Sequence, residues 1–249
     1  MGAALAGGLL AAGWAPDQLT LVEAVEARRR ELAEQFPGVH LAAEPPRGGG
    51  AVLAVKPADV PEAASALAAA GVDRVVSIAA GVRLATLEVA LGTVPVVRAM
   101  PNTPALVGAG VTAIAAGRAA REDDLAWAEE VLGAVGRVVR VDEPLLDAVT
   151  GLSGSGPAYV FLVAEALIDA GVLVGLPRDL SATLAVQTLL GAARLLAETG
   201  DTPEALRAAV TSPGGTTAAG LRALEAAGVR AAFLDAVVAA SERSRELGG

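Results

Sequence analysis

The first half of the chain alternates short apolar runs of β-forming residues with longer segments of helical periodicity. Six runs rich in Val, Leu, Ile and Ala predict strands at residues 19–22, 51–55, 74–78, 94–98, 111–115 and 137–141. The segments between them predict helices near residues 3–12, 24–36, 60–70, 83–90 and 122–134. Strands that alternate with helices in this way are typical of a parallel sheet covered by helices on both faces.

The β pattern stops at Pro144, and the rest of the chain is Ala- and Leu-rich helix. Glycine and proline interrupt these helices at residues 171–177, 200–203, 212–215 and 228. We therefore place a domain boundary near residue 143. Residues 1–143 are predicted to form a Rossmann-like, doubly wound α/β domain of the dinucleotide-binding type, and residues 144–249 an all-helical domain.

The late helices are apolar on more than one face. Apolar side chains surround the helix predicted near residue 190: Leu184, Ala185, Leu189, Leu190, Ala193, Leu195 and Leu196. They cannot all point into one small core, and such helices usually bury the surplus against another subunit. We predict a homodimer formed mainly by the C-terminal half. The alternative is a helix buried wholly within its own domain.

Composition excludes several classes of function. The chain of 249 residues is 53% apolar and 19% charged, which is enough to bury a sizeable core. Its net charge of −9 and its single lysine, Lys56, argue against a nucleic-acid partner. The absence of cysteine excludes disulfides, thiolate zinc sites and cysteine nucleophiles. The only histidine, His40, cannot build a metal cluster and is predicted to be a surface or strand-edge residue.

Two apolar stretches have to be distinguished from membrane segments. Residues 3–15 carry no charge, but no basic residue precedes them, and Pro16 ends the run well short of the ~20 residues of a span. The helix that starts near Ala158 is interrupted by Glu165 and Asp169. We therefore expect a soluble, cytoplasmic protein without a membrane partner.

A bend within the helical half carries the most informative motif. Residues 211–217 read T-S-P-G-G-T-T between two Ala-rich helical segments, which predicts a tight helix–helix turn. The first N–H groups of a helix are unpaired and carry a partial positive charge of about half a unit. A small carboxylate docked at Gly214 to Thr217 therefore needs no cationic side chain. The alternative is an ordinary loop with a Ser or Thr cap.

Two further punctuated segments accompany this bend. Residues 150–159 read T-G-L-S-G-S-G-P-A-Y, and residues 98–104 read R-A-M-P-N-T-P. Together the three segments resemble the pyrroline-5-carboxylate reductases, and the resemblance runs in order from Met1 to about Leu247. It implies reduction of 1-pyrroline-5-carboxylate to L-proline, the last step of proline biosynthesis, by hydride transfer from NADPH or NADH.

The dinucleotide-binding fingerprint of such folds is only partly present. It needs a buried strand, then G-x-G-x-x-G at the start of a helix, then an acid after the second strand. Here Met1 and Gly2 run directly into an Ala-rich helix, and by resemblance Gly2 is the last fingerprint glycine. Our hypothesis is that Met1 is a misassigned start codon, and that upstream codons encode an apolar strand with G-x-G. The alternative is a truncated copy.

The predicted cofactor contacts follow the C-terminal ends of the strands. Glu23 stands where an acid would bind the ribose hydroxyls and repel a 2′-phosphate, which favours NADH, although Arg28 or Arg29 could reach a phosphate. The alternative for Glu23 is a helix N-terminal acid. Asn102 is expected either to orient the nicotinamide carboxamide or to make an Asx turn. The other contacts, in part by resemblance, are Gly2, Ala54, Val55, Lys56, Pro57, Ala79, Met100 and Pro101.

The predicted substrate site rests on the resemblance. It implies that the substrate carboxylate lies on backbone N–H groups of Gly214, Gly215, Thr216 and Thr217, with the hydroxyl of Ser212 beside them. Ser153 and Ser155 are expected to line the pocket. Ser155 is also predicted to be the N-cap of the long helix, with Pro157 in its first turn.

The chemistry needs no strong acid or base, because a pyrroline nitrogen can arrive already protonated. Positioning of the substrate against the nicotinamide then supplies most of the rate. Thr217, with Ser212, is the candidate catalytic residue, and its hydroxyl is expected to orient the ring nitrogen or relay a proton from water.

Two other functions are compatible with the sequence. One is another imine or β-hydroxyacid-type reductase of the same two-domain plan. The β-hydroxyacid dehydrogenases generally use a lysine in the helical domain, where this chain has none. The other is an inactive dinucleotide-binding or scaffold paralogue, which the partial fingerprint would explain.

Overall fold

The computed structural model describes residues 1–248. Their contacts form two compact units, which we call the strand unit and the helical unit. The strand unit comprises residues 1–155 together with the C-terminal stretch from Ala239, and the helical unit runs from Gly156 to Val238. These compact units divide the chain after Ser155. The functional domain boundary near residue 143 stays a prediction.

The strands form two sheets within residues 1–248. β1 (Thr20–Val22) pairs in parallel with β2 (His40–Ala42). The second sheet has the strand order β3 (Gly50–Leu53), β4 (Arg74–Ser77), β5 (Val96–Met100), β6 (Gly110–Ala116) and β7 (Gly136–Arg140). All six predicted strands are present within a few residues of the predicted bounds. The pattern does not predict β2, because only three partly exposed residues form it.

His40 opens β2 and is exposed, which confirms its prediction as a surface or strand-edge residue. β2 pairs only with β1, so one edge of this strand is open within the described chain.

The second sheet is parallel except at one pair of strands. β3, β4 and β5 run in parallel, as do β6 and β7, but β5 and β6 are antiparallel, with Arg98 opposite Ala115. The expectation of a wholly parallel sheet is corrected at this pair. Only residues 101–109, which contain a 3₁₀ turn, connect the two strands, and a parallel crossover usually needs a dozen or more residues with a helix.

Five helices flank the strands: α1 (Gly2–Ala11), α2 (Glu26–Gln35), α3 (Val60–Ala70), α4 (Leu84–Leu91) and α5 (Glu122–Gly133). α1 contributes to two separate hydrophobic clusters. Its Leu5 and Leu9 join the cluster that contains Val76 and Val97, while Ala6 packs with Phe36 of the other cluster.

β1 and β3 are not paired with each other. Within residues 1–248, each of these two strands has one unpaired edge. β3 is correspondingly less buried than its neighbour β4: Ala51 and Val52 are half-buried, whereas Val75 and Val76 are buried.

The remaining helices follow the strand unit in sequence: α6 (Leu146–Val149), α7 (Gly156–Leu173), α8 (Arg178–Thr199), α9 (Pro203–Ala209), α10 (Thr216–Ala226) and α11 (Val229–Leu247). α6 precedes a single π-helical turn, Thr150–Gly154. The last part of α11 returns to the strand unit, where the Oγ of Ser244 donates to Oδ1 of Asp147 at 2.6 Å.

Helices α7 and α8 pack closely against each other at one point. The Oγ of Ser181 donates to the carbonyl of Ile168 at 2.7 Å, and a Cβ on Gly171 would overlap that hydroxyl. Several large apolar side chains of these two helices are exposed on the single chain: Phe161, Leu162, Leu184, Val186, Leu190, Leu195 and Leu196. Two helical stretches, Glu143–Leu173 and Arg178–Thr199, have the length and hydropathy of membrane spans.

Candidate active site

The predicted bend of residues 211–217 is a helix–helix turn that ends at the first residue of α10. Gly214 has a φ of +70°, which L-residues with side chains rarely adopt. Gly215 follows as the N-cap in an extended conformation, and a Cβ at this position would overlap the Oγ of Ser212. The backbone conformation therefore favours glycine at 214, whereas a side chain at 215 would displace the hydroxyl of Ser212. The predicted helix–helix turn at this motif is confirmed.

The amide groups at the start of α10 are available to an anion. The helical hydrogen-bond ladder begins with the N–H of Ala219, which donates to the carbonyl of Gly215 at 3.2 Å. No acidic side chain lies in the first turn of α10, and Gly215 has no side chain with which to cap it. The N–H groups of Thr216 and Thr217 precede that ladder. Thr217 is half-buried, whereas Ser212 and Thr216 are exposed.

The predicted cofactor contacts follow strands whose carboxyl ends share one edge of the sheet. Ala54 to Pro57 follow β3, Ala79 follows β4, and Met100 to Asn102 end or follow β5. Since these three strands are parallel, their carboxyl ends lie on the same side. A Cβ on Gly2 would lie 3.1 Å from the Cβ of Ala54, so the N-terminus of α1 also reaches this edge.

The side chains at this edge differ in burial. Ala54, Val55, Lys56 and Pro57 are exposed, and a 3₁₀ turn, Pro57–Asp59, follows them. Ala79 is buried. The role of these residues in cofactor binding stays a prediction.

Glu23 makes local contacts after β1. Its Oε1 accepts the N–H of Val25 at 2.9 Å, just before α2, which is the helix N-terminal role of the alternative interpretation. Arg29 donates from Nη1 to the carbonyls of Glu23 at 2.6 Å and Ala24 at 2.7 Å. Arg28 is paired with Glu31. Arg29 thus holds the loop that presents Glu23.

Residues 98–104 and 150–155 come together within the strand unit. A Cβ on Gly154 would lie 2.6 Å from the Cε of Met100, and the Nδ2 of Asn102 donates to the carbonyl of Ser153 at 3.2 Å. The sequence predicts both segments as site elements but carries no signal for their direct contact. The Oδ1 of Asn102 accepts the N–H of Val111 at 2.9 Å, so the side chain does not make an Asx turn.

Ser155 does not have the predicted N-cap geometry. Its backbone is right-handed helical, with φ −83° and ψ −19°, whereas an N-cap residue is typically extended. Its N–H donates to the carbonyl of Thr150 at 2.8 Å, which continues the π-helical turn. The N-cap prediction is therefore wrong, because the chain reaches α7 through this turn and not through an open loop. Pro157 does lie in the first turn of α7, as predicted.

Arg98 and Glu143 form an ion pair that the sequence does not predict. Arg98 lies in β5 with a side chain only 8% exposed, and its Nη1 donates to Oε1 of Glu143 at 2.9 Å. The same oxygen accepts the N–H of Leu84, at the start of α4. Glu143 thus links β5 itself to the segments that follow β4 and β7.

Comparison with known proteins agrees with the geometry of both units. Residues 143–247 match the family model for pyrroline-5-carboxylate reductase dimerisation. The pyrroline-5-carboxylate reductase of Synechocystis is 47% identical over 241 residues, which cover 94% of this chain and 90% of the relative. That of Corynebacterium melassecola is 42% identical over 257 residues, which cover 100% of this chain and 95% of the relative.

Solved structures extend the similarity to the fold. The pyrroline-5-carboxylate reductase of Coxiella burnetii has a TM-score of 0.91 and 35% identity, with 99% of this chain and 94% of that one covered. The pyrroline carboxylate reductase of Plasmodium falciparum, solved with NADP bound, has a TM-score of 0.83 and 29% identity, with 100% and 95% covered. This chain therefore belongs to the pyrroline-5-carboxylate reductase family.

Proposed function

We propose that this protein reduces 1-pyrroline-5-carboxylate to L-proline with a hydride from NADPH or NADH. The observation that carries the proposal is the similarity to pyrroline-5-carboxylate reductases along nearly the whole chain. The fold adds a site of suitable chemistry, because the open amino end of α10 suits a small carboxylate.

The substrate carboxylate binds at the turn before α10. The N–H groups of Thr216 and Thr217 precede the helical hydrogen-bond ladder and donate to the carboxylate, and the exposed Ser212 supplies a hydroxyl. The N–H of Gly215, which the sequence also predicts as a donor, instead donates to the carbonyl of Ser212 at 3.1 Å. The positive φ of Gly214 reverses the chain just before these amides. Ser153 and Ser155, in and directly after the π-helical turn, stay predicted substrate contacts.

The chain's part in the reaction is to hold and orient the substrate. A bound reduced nicotinamide would supply a hydride to C5 of the protonated imine, so that a C–H bond forms while the π bond of C=N breaks. The π electron pair becomes the lone pair of the ring nitrogen, which keeps the proton that it already carries. The hydroxyl of Thr217 donates or accepts a hydrogen bond at that nitrogen, which fixes the face of the ring that receives the hydride.

The strand unit holds the dinucleotide at the carboxyl ends of its parallel strands. Gly2 permits close approach at the start of α1, because a side chain there would press on Ala54. Residues 54–57, Ala79 and the Met100–Pro101 segment line the edge. Glu23 contacts the adenosine ribose, and its charge favours NADH over NADPH.

The exposed apolar faces of α7 and α8 are covered by a second copy of the chain. The family model that matches residues 143–247 describes dimerisation, and side chains such as Phe161 and Leu190 need such a partner. Burial against a second copy explains why these helix faces are apolar without a membrane. We therefore propose a cytoplasmic enzyme that does not insert into a membrane.

The proposed reaction is tested by mixing purified protein with 1-pyrroline-5-carboxylate and either NADH or NADPH. Absorbance of the reduced cofactor should fall, and proline should form in equal amount. β-Hydroxyacids with NAD⁺ or NADP⁺ serve as the comparison. Turnover of those acids alone would assign another reductase activity, and the absence of any turnover would favour a scaffold.

A further inference from the structure

The side chain of Asn102 is buried, with only 9% of the residue exposed, and uses both of its polar atoms within the strand unit. Its Oδ1 accepts the N–H of Val111 at 2.9 Å, and its Nδ2 donates to the carbonyl of Ser153 at 3.2 Å. Val111 is the second residue of β6, and Ser153 lies in the π-helical turn before α7. A single amide therefore joins two segments that are far apart in the sequence.

The two partners determine the orientation of this amide. An N–H group needs an acceptor and a carbonyl needs a donor. Rotating the amide of Asn102 by a half-turn would set its NH₂ against the N–H of Val111 and its oxygen against the carbonyl of Ser153. Only the observed orientation satisfies both groups, so the side chain has a defined position.

The Ser153 contact lies beside a second close contact between the same segments. A Cβ on Gly154 would lie 2.6 Å from the Cε of Met100, so the π-helical turn rests directly on the end of β5. Met100 belongs to the proposed cofactor edge, and Ser153 and Ser155 are proposed substrate contacts. The Asn102 amide thus holds together two parts of the proposed site.

We propose that Asn102 is a positioning residue, which fixes the π-helical turn 150–154 against the end of β5, and not a ligand of the nicotinamide. The kinetic consequence rests on the proposed function, whereas the structural consequence does not. Without the amide, the carbonyl of Ser153 and the N–H of Val111 lose their partner, and the turn that places Ser153 and Ser155 loosens.

Two variants separate the two halves of the contact. Asn102→Asp keeps an oxygen for the N–H of Val111 but sets a second oxygen against the carbonyl of Ser153. Asn102→Ala removes both contacts. Thr103→Ala is the matched control, because Thr103 is the adjacent residue and is exposed.

Amide hydrogen exchange, followed by NMR, reads the structural consequence. The N–H of Ser155 donates to Thr150 within the π-helical turn and reports on that turn. Its exchange should quicken at least about tenfold in both variants, equivalent to about 1.4 kcal/mol. The N–H of Val111 should exchange faster in Asn102→Ala only. Unchanged exchange at Ser155 in both variants would overturn the proposal.

Kinetics and cofactor binding read the functional consequence. We expect kcat with 1-pyrroline-5-carboxylate to fall about tenfold or more in both variants, while the dissociation constants of NAD⁺ and NADP⁺ change less than about twofold. A large rise in those constants with kcat preserved would identify Asn102 as a cofactor ligand and overturn the proposal. If the unaltered protein showed no turnover, the proposed function would fail, and the exchange pattern would still decide the role of Asn102. Should Asn102→Ala not fold, Asn102→Asp decides.

Discussion

Arg98 and Glu143 form an ion pair that links the middle of the second sheet to the segment after β7. The Nη1 of Arg98 lies 2.9 Å from Oε1 of Glu143, and the Arg98 side chain is 8% exposed against 29% for Glu143. The same carboxylate oxygen accepts the N–H of Leu84 at 2.6 Å. Removal of the carboxylate would strand a buried guanidinium and an amide at the start of α4.

Replacement of Glu143 by Ala should therefore lower the free energy of unfolding by about 2 kcal/mol. This loss is smaller than the usual cost of breaking a fully buried ion pair, because the Glu143 side chain is partly exposed. Glu143→Gln keeps an acceptor for Leu84 and should cost about half as much. Urea denaturation measures both. Asp142→Ala, at an exposed neighbouring position, is the control, and an equal loss in that variant would contradict the assignment.

Thr217 should matter for turnover and not for stability. We propose that its hydroxyl contacts the ring nitrogen of the substrate, and loss of that hydrogen bond should lower kcat/KM of Thr217→Ala by at least about tenfold. The midpoint of thermal unfolding should change little, since the side chain is only half-buried.

Thr211→Ala makes the same chemical change at the other end of the bend, where the hydroxyl donates to the carbonyl of Arg207. Steady-state rates of the two variants, measured side by side, test the role. Equal rates for Thr217→Ala and the unaltered protein would remove Thr217 from the mechanism.

Glu23 should set the preference between the two cofactors. The repulsion between a carboxylate and one negative charge of a phosphate about 4 Å away is about 1 kcal/mol in water and about 4 kcal/mol near a protein surface. A tenfold change in the dissociation constant corresponds to about 1.4 kcal/mol, which lies within this range. Arg28 is paired with Glu31, and Arg29 donates to the carbonyls of Glu23 and Ala24, so both guanidinium groups have partners within the chain. The unaltered protein should bind NADH at least about tenfold more tightly than NADPH.

Glu23→Gln keeps the oxygen that accepts the N–H of Val25 and removes the charge. Calorimetric titration should show the ratio of the two dissociation constants moving toward one. Glu26→Gln removes one negative charge from the first turn of the same helix and should leave the ratio as it is. A ratio that is insensitive to Glu23 would refute this assignment.

Leu190 of α8 should lie in the interface between copies of the chain. It is 47% exposed on the single chain, and a carboxylate buried there without a partner would be costly. Leu190→Glu should raise the dimer dissociation constant by about a hundredfold or more, as measured by analytical ultracentrifugation. Val89→Glu, on α4 of the strand unit, where Val89 is 86% exposed, should leave the assembly intact; dissociation of both variants alike would count against an α8 interface.

Some of the fold and the site follows from local sequence. The strands of the first half are predictable because β-branched runs alternate with helical segments, and α10 begins where glycines and a hydroxyl mark a helix start. β2 escapes prediction because three residues contain too little pattern. Ser155 escapes it because a Ser before Gly-Pro is a good N-cap in isolation, whereas here the chain enters from a π-helical turn.

The amino-acid sequence by itself determined the local elements, the turn before α10 and the family, since these depend on neighbouring residues and on motifs in a fixed order. Only the tertiary structure decided that Asn102 joins Val111 to Ser153, that Arg98 is neutralised by Glu143, and that β6 runs against β5. The reason is physical. Periodicity and turn chemistry act over a few residues, whereas the partner of a buried polar group is selected by packing between segments distant along the chain.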